Sequence, residues 1–377
     1  MIYFDNAATT MVCKEAAEKA LYIMTDCFGN PSSTHSHGRR AKKELDEARE
    51  KIANALGCNE GEVYFTSGGT ESDHWAITKS SKLIARNGRH IITSLAEHSA
   101  VSRAIDSLEQ EGFEVSRLKP DETGAISAQS FESALREDTC FASLMLVNNE
   151  TGAISDIKSM ARLLKRNNPN ALFHCDAVQA FTKIPFSVKE LGADLLSISG
   201  HKIHAPKGVG ALYISGGVKL GAMLSGGGQE KNLRSGTEGL SQIAAFGSAA
   251  EIAFKGLSEN NALMMNIKNH IIKRLSAEIP EFRPIETAAP HILNLSIIGY
   301  KSEILMNLLE MDGIFISKSS ACKKGGRSHV LESMGLNAVT IDGSIRISFS
   351  RFSSLEEADI FCDKLKAAKK SVLPVLR

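Results

Sequence analysis

The first two thirds of the chain alternate between two hydrophobic patterns. Short apolar runs rich in β-branched residues, typical of buried strands, precede longer segments with apolar residues every three or four positions, typical of amphipathic helices. This pattern predicts strands at 90–94, 114–118, 140–147, 171–175, 195–199 and 210–214, and helices at 76–86, 100–111, 127–135 and 157–167. Strands that alternate with helices indicate an α/β fold, with a mostly parallel sheet covered by helices.

The pattern changes beyond about residue 255. It predicts a long helix at 251–277, then a strand at 292–297, a helix at 302–311, a strand at 345–349 and a terminal helix at 355–372. This α+β segment, joined by the N-terminal residues, is predicted to form a smaller domain. We therefore predict a large domain over residues 15–255 and a small domain built from residues 1–14 and 256–377.

Composition narrows the class of protein. A chain of 377 residues that is 43% hydrophobic can bury a large core, and its net charge of +1 gives no basis for a nucleic-acid or membrane surface. The N-terminus lacks the basic and apolar regions of a signal peptide, so we expect a cytoplasmic protein. The 7 cysteines show no CxxC or Cys/His spacing, which argues against a disulfide framework and against a metal site.

Polar residues follow successive predicted strands. In a largely parallel sheet, the loops beyond the carboxyl ends of the strands carry the binding site. Each such residue alone is compatible with an ordinary loop, but together they predict one site. The residues are His98, Asn148, Asn149, Glu150, Asp176, Gln179, His201 and Lys202.

Lys202 is the strongest candidate for covalent chemistry. It ends the run Ser199-Gly200-His201-Lys202, directly after an apolar strand and before a turn rich in Pro and Gly. A lysine that is partly withdrawn from water can form a Schiff base with a carbonyl cofactor, of which pyridoxal phosphate is the commonest. The alternative for this stretch alone is a surface lysine in a loop.

The other strand-end residues match what pyridoxal phosphate requires. Asp176 is suited to hold the pyridine nitrogen, His98 to lie over the ring and Gln179 to donate to the phenolic oxygen. The phosphate needs a group of hydrogen-bond donors at a helix N-terminus. The turn 66–70 is predicted to lead into such a helix. The candidate phosphate ligands are Thr70, Ser199 and His201, with the backbone of Gly69.

Motifs in the same order along nearly the whole chain resemble those of NifS/IscS-type cysteine desulfurases. These enzymes belong to the class V aminotransferase group of fold-type I pyridoxal phosphate enzymes, so the resemblance implies that fold and cofactor. The motifs include Asp5-Asn6-Ala7-Ala8-Thr9-Thr10, Ser67-Gly68-Gly69-Thr70-Glu71, Glu97-His98, Asn148-Asn149-Glu150-Thr151-Gly152, His174-Cys175-Asp176-Ala177-Val178-Gln179, Ser199-Gly200-His201-Lys202 and Arg234-Ser235-Gly236-Thr237.

The resemblance implies roles for the matching residues. Lys202 is similar to the Schiff-base lysine, and the roles suggested above for Asp176, His98 and Gln179 and for the phosphate ligands carry over. Thr237 resembles a phosphate ligand that reaches the cofactor from a second subunit, which implies a homodimer. Arg346 and Asn149 resemble the residues that bind the substrate carboxylate, a task for which the bidentate guanidinium is better suited than an ammonium.

Cys322 resembles the catalytic nucleophile of the family. Lys318, Lys323, Lys324 and Arg327 lie nearby in sequence, and neighbouring cations favour the reactive thiolate. The implied reaction converts L-cysteine to L-alanine, leaves the sulfur on Cys322 as a persulfide, and delivers it to an acceptor protein for iron–sulfur cluster assembly or thio-modification. Lys323-Lys324-Gly325-Gly326 stand where the family has residues rich in Ser and Thr, so the acceptor stays open.

Other functions remain open at this point. A selenocysteine lyase, a cysteine sulfinate desulfinase or another class V enzyme would use the same Lys202 and Asp176. Cys322 argues against an aminotransferase, since transamination needs no thiol. A sulfur-relay or regulatory partner without turnover is the alternative outside enzymes, and the intact set of Lys202, Asp176, His98 and Arg346 argues against it.

Overall fold

The computed structural model describes residues 1–318 and 326–375 of the chain. Its strands are β1 (Ile2–Tyr3), β2 (Val63–Thr66), β3 (His90–Ser94), β4 (Glu114–Leu118), β5 (Thr139–Met145), β6 (Leu172–Asp176), β7 (Leu195–Ser199), β8 (Gly210–Ile214), β9 (Phe282–Ile285), β10 (Ile292–Ile297), β11 (Ile314–Phe315), β12 (Ser317–Lys318) and β13 (Ser344–Ser348).

The helices occupy the segments between these strands. They are α1 (Lys14–Thr25), α2 (Ser36–Leu56), α3 (Gly69–Thr78), α4 (Ser81–Ile84), α5 (Ser99–Gln110), α6 (Ala128–Ala134), α7 (Ile157–Asn167), α8 (Val188–Leu191), α9 (Leu240–Lys255), α10 (Leu257–Glu278), α11 (Ser302–Met311), α12 (His329–Ser333), α13 (Ala338–Asp342) and α14 (Leu355–Lys370). Across residues 1–318 and 326–375, none of them is long and apolar enough to cross a membrane.

The large sheet has the strand order β2-β8-β7-β6-β5-β3-β4. Adjacent strands from β4 to β7 pair in parallel, and only β8 is antiparallel to its neighbours β7 and β2. The predicted α/β fold with a mostly parallel sheet is therefore confirmed. The carboxyl ends of β3, β5, β6 and β7 meet at one edge, where the candidate site residues follow them.

A smaller antiparallel sheet has the order β12-β13-β10-β9, and β1 pairs in parallel with β11. Apolar side chains form separate clusters around the two sheets, with Phe173 in the larger cluster and Phe4 and Phe361 in the smaller one. The rings of Phe4 and Phe361 pack edge to face with centroids 5.9 Å apart. This arrangement agrees with the division at residues 15–255, which itself stays a prediction.

Two predicted helices differ from the structure. The helix expected at 76–86 is interrupted between α3 and α4, where the Ser80 hydroxyl donates to the Ala76 carbonyl at 2.5 Å and competes with the backbone ladder. The helix expected at 251–277 is two helices, α9 and α10, which meet at Gly256. Apolar periodicity continues across both breaks, so it did not reveal them.

The N-terminal segment connects the small sheet to the large one. The Asn6 side chain donates to the Ser348 carbonyl at 2.9 Å, and the Ala7 N–H donates to the Ser348 hydroxyl at 2.8 Å. Farther along, the Thr10 hydroxyl donates to the carbonyl of His201, beyond the end of β7. Residues 5–10, which we call the N-terminal strap, thus lie between β13 and the edge of the large sheet.

A buried ion pair holds the loop before α9 against the large sheet. The Arg49 guanidinium of α2 donates to both carboxylate oxygens of Glu230, at 2.6 and 2.8 Å, and the Phe65 N–H donates to the same carboxylate at 2.9 Å. The side chains of Arg49 and Glu230 are only 11% and 3% exposed. Removing one partner leaves a buried charge without compensation, which is far more costly than losing an exposed pair.

We expect Glu230→Ala to lower the free energy of unfolding by about 3–5 kcal/mol, because Arg49 would stay buried without its partner. Urea unfolding followed by circular dichroism measures the change. Glu47→Ala is the matched control, since Glu47 pairs with Lys43 on the exposed face of α2, and it should cost less than about 1 kcal/mol. Equal effects of the two substitutions would contradict the interpretation.

Candidate active site

A cleft of about 350 Å³ lies at the carboxyl edge of the parallel strands. It brings together ten of the residues that the sequence analysis assigned to a site. They are Gly69, Thr70, His98, Asn149, Asp176, Gln179, Ser199, His201, Lys202 and Arg346. All but Arg346 come from the ends of large-sheet strands or from the turns that follow them, and Arg346 reaches the cleft from β13.

Lys202 is held by the N-terminal strap. It ends a short 3-10 turn, Gly200–Lys202, directly after β7. Its Nζ donates to the carbonyl oxygens of Ala7 and Ala8, each at 2.7 Å. These bonds fix the amine at the wall of the cleft, where a ligand carbonyl can reach it.

Gln179 shares an acceptor with Lys202. The Gln179 Nε2 donates to the Ala7 carbonyl at 2.8 Å, and its Oε1 accepts a hydrogen bond from the Lys183 Nζ at 3.3 Å. The amide is therefore oriented by an acceptor on one side and a donor on the other. Its second N–H remains for a group in the cleft.

Asp176 ends β6 and its Oδ1 accepts from the Val178 N–H at 2.9 Å. Burial raises the pKa of Asp176, whereas the Val178 N–H and the nearby His98 and Lys202 counteract this rise. A cation placed against this carboxyl would favour its ionised form.

His98 stands at the N-terminus of α5. Its Nδ1 accepts a hydrogen bond from the Ala100 N–H at 3.2 Å, which places the ring proton on Nε2 in the neutral form. Burial lowers the pKa of His98, with Lys202 acting in the same direction and Asp176 in the opposite one. The ring is thus a neutral, fixed wall of the cleft.

Two further buried carboxyl groups lie near Asp176. Asp73 lines the cleft, and Glu97 is fixed by its Oε1, which accepts from the Ser94 hydroxyl at 2.6 Å and from the Met145 N–H at 3.2 Å. Burial raises the pKa of Glu97 to about 8, and repulsion from Asp176 adds to this rise. Burial, and then Asp176, also raise the pKa of Asp73 well above its usual value. Three acidic groups so close together cannot all ionise, so Glu97 is protonated at neutral pH.

The candidate phosphate ligands surround the N-terminus of α3. Gly69 begins this ten-residue helix, and a Cβ there would stand 2.9 Å from the Val178 side chain. The Ser199 hydroxyl is buried and has no hydrogen-bond partner among the described residues. His201 contacts the Thr9 hydroxyl at 3.2 Å, and burial lowers the pKa of its imidazole to about 4. An unpartnered hydroxyl beside a helix N-terminus is what an anion site requires.

Arg346 is 2% exposed and lines the same cleft. Its Nη1 donates to the Asn149 carbonyl at 2.9 Å and its Nη2 to the Asp5 carboxylate at 3.0 Å. The Asn149 backbone thus helps to hold Arg346. These two bonds orient a planar guanidinium toward a ligand carboxylate.

Among the described residues, Asn148, Glu150 and Thr237 are predicted site residues that do not line this cleft. Thr237 is exposed and does not line the cleft. Cys322 lies outside the described residues. Of the cations near it in sequence, Lys318 pairs with Glu303 at 2.8 Å and Arg327 with Asp342 at 2.7 Å, so these two charges are already engaged in ion pairs.

Sequence reasoning missed several residues of the site. Asp73 lines the cleft four residues after Gly69, on the same face of α3, and that helical spacing was the available signal. Lys183 donates to Gln179 from an irregular turn, where the same spacing carries no such signal. The carbonyls of Ala7 and Ala8 carried no side-chain signal. Across residues 1–318 and 326–375, no group of three or more His, Cys, Asp or Glu side chains is placed to hold a metal ion.

Comparisons with known proteins give matches over almost the whole chain. The family model for aminotransferase class-V matches residues 2–361. The cysteine desulfurase IscS of Clostridium botulinum is 40% identical over 371 residues, which cover 97% of this chain and 93% of that protein. A solved structure of a NifS-like protein has a TM-score of 0.93 and 35% identity, covering 98% of this chain and 100% of the other. A structure of SspA in complex with cysteine has a TM-score of 0.82 and 32% identity, covering 94% and 100%.

We expect Glu97→Gln to become more stable relative to the wild type as pH rises from 4.5 to about 8. Above that pH the difference in free energy of unfolding should level off. A raised folded-state pKa means that the unfolded carboxyl ionises first, so the wild type loses up to about 1.4 kcal/mol per pH unit in that window. The amide imitates the protonated acid and does not titrate. Urea unfolding of both proteins across this range measures the difference, and a constant difference would contradict the assignment.

Proposed function

This chain belongs to the aminotransferase class-V family, and we propose that it is a pyridoxal-phosphate-dependent cysteine desulfurase, like the IscS protein that it resembles. The observation that carries the proposal is the convergence of Lys202, Asp176 and Gln179 on one cleft with an unpartnered Ser199 hydroxyl. An amine, a carboxyl, an amide donor and an anion cup are the four features that distinguish a pyridoxal phosphate site from a general polar cleft.

The residues present fit the cofactor. Lys202 would hold its aldehyde, Asp176 its pyridine nitrogen and His98 one face of its ring. Gln179 would donate to its phenolic oxygen, and the backbone of Gly69 with Thr70, Ser199 and His201 would hold its phosphate. When bound, pyridoxal phosphate supplies an electron sink for bond changes at the amino acid. His201 would act as a neutral hydrogen-bonding partner, since burial lowers its pKa to about 4.

L-cysteine is the proposed substrate, and the structure of the similar protein SspA in complex with cysteine supports this choice. Arg346 would bind its carboxylate, and Asn149, which lines the cleft beside it, is the second proposed contact. Both guanidinium ends are already fixed by the Asn149 carbonyl and by Asp5. A carboxylate can therefore dock without first ordering the arginine, which lowers the entropic cost of binding.

Proton transfer falls to Lys202. The carbonyls of Ala7 and Ala8 accept from its Nζ and keep it at the cleft wall. An amine at this position can take a proton from the substrate carbon and donate it to another atom of the bound reactants, as general acid–base catalysis requires. His98 is fixed as a neutral ring by its bond from Ala100 and is proposed to orient the cofactor and assist this step.

Sulfur transfer is proposed to occur at Cys322. Its thiolate attacks the substrate sulfur, a sulfur–sulfur bond forms, and the carbon–sulfur bond of cysteine breaks. The electron pair of the broken bond stays on the carbon, which takes up a proton, so that L-alanine leaves and Cys322 retains the persulfide. A sulfur-acceptor protein, in iron–sulfur cluster assembly or thio-modification, then takes the terminal sulfur.

A homodimer is part of the proposal. Thr237 is exposed and lies outside the cleft of its own chain, which agrees with a role at the cofactor phosphate of a second subunit. The segment that leads to it is held by two ion pairs, Arg234 with Glu71 at 2.8 Å and Arg49 with Glu230. A loop held in this way can present a ligand to a neighbouring chain without a large ordering cost.

We expect Cys322→Ala to bind L-cysteine and change the visible absorbance of the cofactor, but to release no sulfide or alanine above background in the presence of a reductant. The substitution removes only the nucleophile, so the steps before sulfur transfer remain. Cys58→Ala is the matched control, because burial raises the pKa of that half-buried thiol to about 12. It should turn over like the wild type.

Sulfide release by Cys322→Ala at the wild-type rate would contradict the proposed nucleophile. A lyase or a sulfinate-specific mechanism would then replace it. Absence of a visible cofactor band from the purified wild type would contradict the enzyme assignment and favour a sulfur-relay protein without turnover.

We expect Arg346→Lys to lower kcat/KM for L-cysteine about 10- to 100-fold, mainly through KM. The ammonium keeps the charge but loses the planar pair of donors that binds a carboxylate bidentately. Steady-state alanine release measures the effect. Arg283→Lys is the control, since Arg283 lies in the same small sheet and, within the described part of the chain, donates to the carbonyls of Pro280 and Phe282 and not to the cleft. A loss in kcat alone would contradict a role in substrate binding.

A further inference from the structure

Lys183 is a buried amine that the proposed reaction does not use. It is 8% exposed, and its Nζ donates to the Gln179 Oε1 at 3.3 Å. Lys268, the other deeply buried lysine of residues 1–318 and 326–375, instead donates to the Thr287 carbonyl, the Thr287 hydroxyl and the Ala289 carbonyl, at 2.6, 3.1 and 2.9 Å. Lys183 is thus the less well compensated of the two, which is costly unless the amine serves a purpose.

The charges around Lys183 make its burial still less favourable. Among the described residues, no carboxylate forms an ion pair with it, and burial, Lys202 and Arg346 lower its pKa to about 7. The titratable and charged side chains that interact with it or share its small cavity are all basic. They are Lys202, Arg346, His201, His204, His291 and Arg351.

The backbone is strained in the turn that brings Lys183 within hydrogen-bonding distance of Gln179. The turn after β6 runs from residue 178 to 183, and Thr182 within it has a φ of 54°. This left-handed conformation is unfavourable for a β-branched residue, and the Thr182 hydroxyl is buried without a partner among the described residues. The turn therefore tolerates two costs next to Lys183, both of which a regular helical turn would avoid.

The contacts of Gln179 suggest that the buried Lys183 serves to orient the Gln179 amide. A side-chain amide has an oxygen that accepts and a nitrogen that donates, and the two can exchange places by a flip. The Ala7 carbonyl can only accept, so it fixes Nε2 toward itself and turns Oε1 toward Lys183, whose Nζ carries N–H donors in both its charged and its neutral form. The second N–H on Nε2 is then available to the cleft that Gln179 lines.

We propose that Lys183 is a positioning residue, which holds the Gln179 amide with its nitrogen toward the phenolic oxygen of the cofactor. The inference rests on the proposed function, because it requires pyridoxal phosphate in the cleft. The amide would be held at two points, by the Ala7 carbonyl on its nitrogen and by Lys183 on its oxygen. A donor to the phenolic oxygen withdraws negative charge from it. It thereby favours release of the proton shared between that oxygen and the Lys202 nitrogen.

The test is a pH titration of the visible absorbance of the cofactor-loaded enzyme without substrate. We expect Lys183→Met to move the midpoint upward by about 0.5 to 1 pH unit, the shift that corresponds to loss of one hydrogen bond. Lys183→Gln keeps a donor but removes the charge, and its midpoint should stay at the wild-type value. If Lys183→Met does not fold, Lys183→Ala replaces it, because it removes the same donor and should give the same shift.

A double-mutant cycle with Gln179→Ala tests whether Lys183 acts through Gln179. Once Gln179 is truncated, Lys183→Met should produce no further shift. Lys268→Met is the matched control for loss of a buried ammonium and should leave the midpoint unchanged. Circular dichroism and cofactor content confirm that each variant is folded and loaded.

Three results would overturn the inference. An unchanged midpoint in Lys183→Met would do so, as would equal shifts in Lys183→Met and Lys183→Gln, which would assign the effect to charge. A full shift in the Gln179→Ala background would show that Lys183 acts without Gln179. If the wild type itself lacks the cofactor band, the proposed function fails instead, so the two failures are distinguishable.

Discussion

The geometry of the cleft depends on the carbonyl oxygen of Ala7, the acceptor that Lys202 and Gln179 share. It accepts from Lys202 at 2.7 Å and from Gln179 at 2.8 Å, two residues that come from different strands of the large sheet. The N–H of Ala7 is fixed in turn by the Ser348 hydroxyl of β13. The backbone N–H and carbonyl of this one residue therefore connect the reactive amine and the amide donor to the small sheet. A short strap can do this because its backbone groups are used directly, without flexible side chains between them.

Charge is distributed unevenly across the cleft, in a way that matches the proposed ligand. Asp176, with Asp73 and Glu97 near it, makes one region acidic, and burial raises the pKa of each of the three carboxyls. Lys202 and Arg346 make the other walls basic. Pyridoxal phosphate carries a ring nitrogen that can be cationic and an anionic phosphate, so its bound form would compensate charges that the protein alone leaves unbalanced. A cationic ring nitrogen beside Asp176 would favour the ionised form of that carboxyl.

Much of the fold and most of the cleft follow from local pattern. Strand ends such as Asp176 and Ser199 were placed correctly because buried strands read as short apolar runs, and parallel strands bring their carboxyl ends together. The break between α3 and α4 was missed because a side-chain bond from Ser80, not a change in periodicity, ends the helix. Ala7 and Lys183 were missed for a different reason. The Ala7 carbonyl acts through a backbone contact with Lys202 across 195 positions, and Lys183 owes its place to the left-handed Thr182.

The substrate-binding wall is joined to the cofactor wall by contacts that arrive from both ends of the chain. Arg346 lies on β13, and its guanidinium is fixed by Asp5 of the strap and by the Asn149 carbonyl of the large sheet. Ser328 donates to the Glu150 carboxyl, and His329 donates to the Glu97 carbonyl at 3.2 Å, so the start of α12 is bonded to two of the strand-end loops that line the cleft. Burial raises the pKa of Glu150 to about 7, while Ser328 and Arg346 counteract this rise. Because both walls share these few buried bonds, a displacement of the small sheet would move the carboxylate-binding arginine relative to Lys202. The geometry of the site is thus set by the packing between the two sheets as much as by the residues within either one.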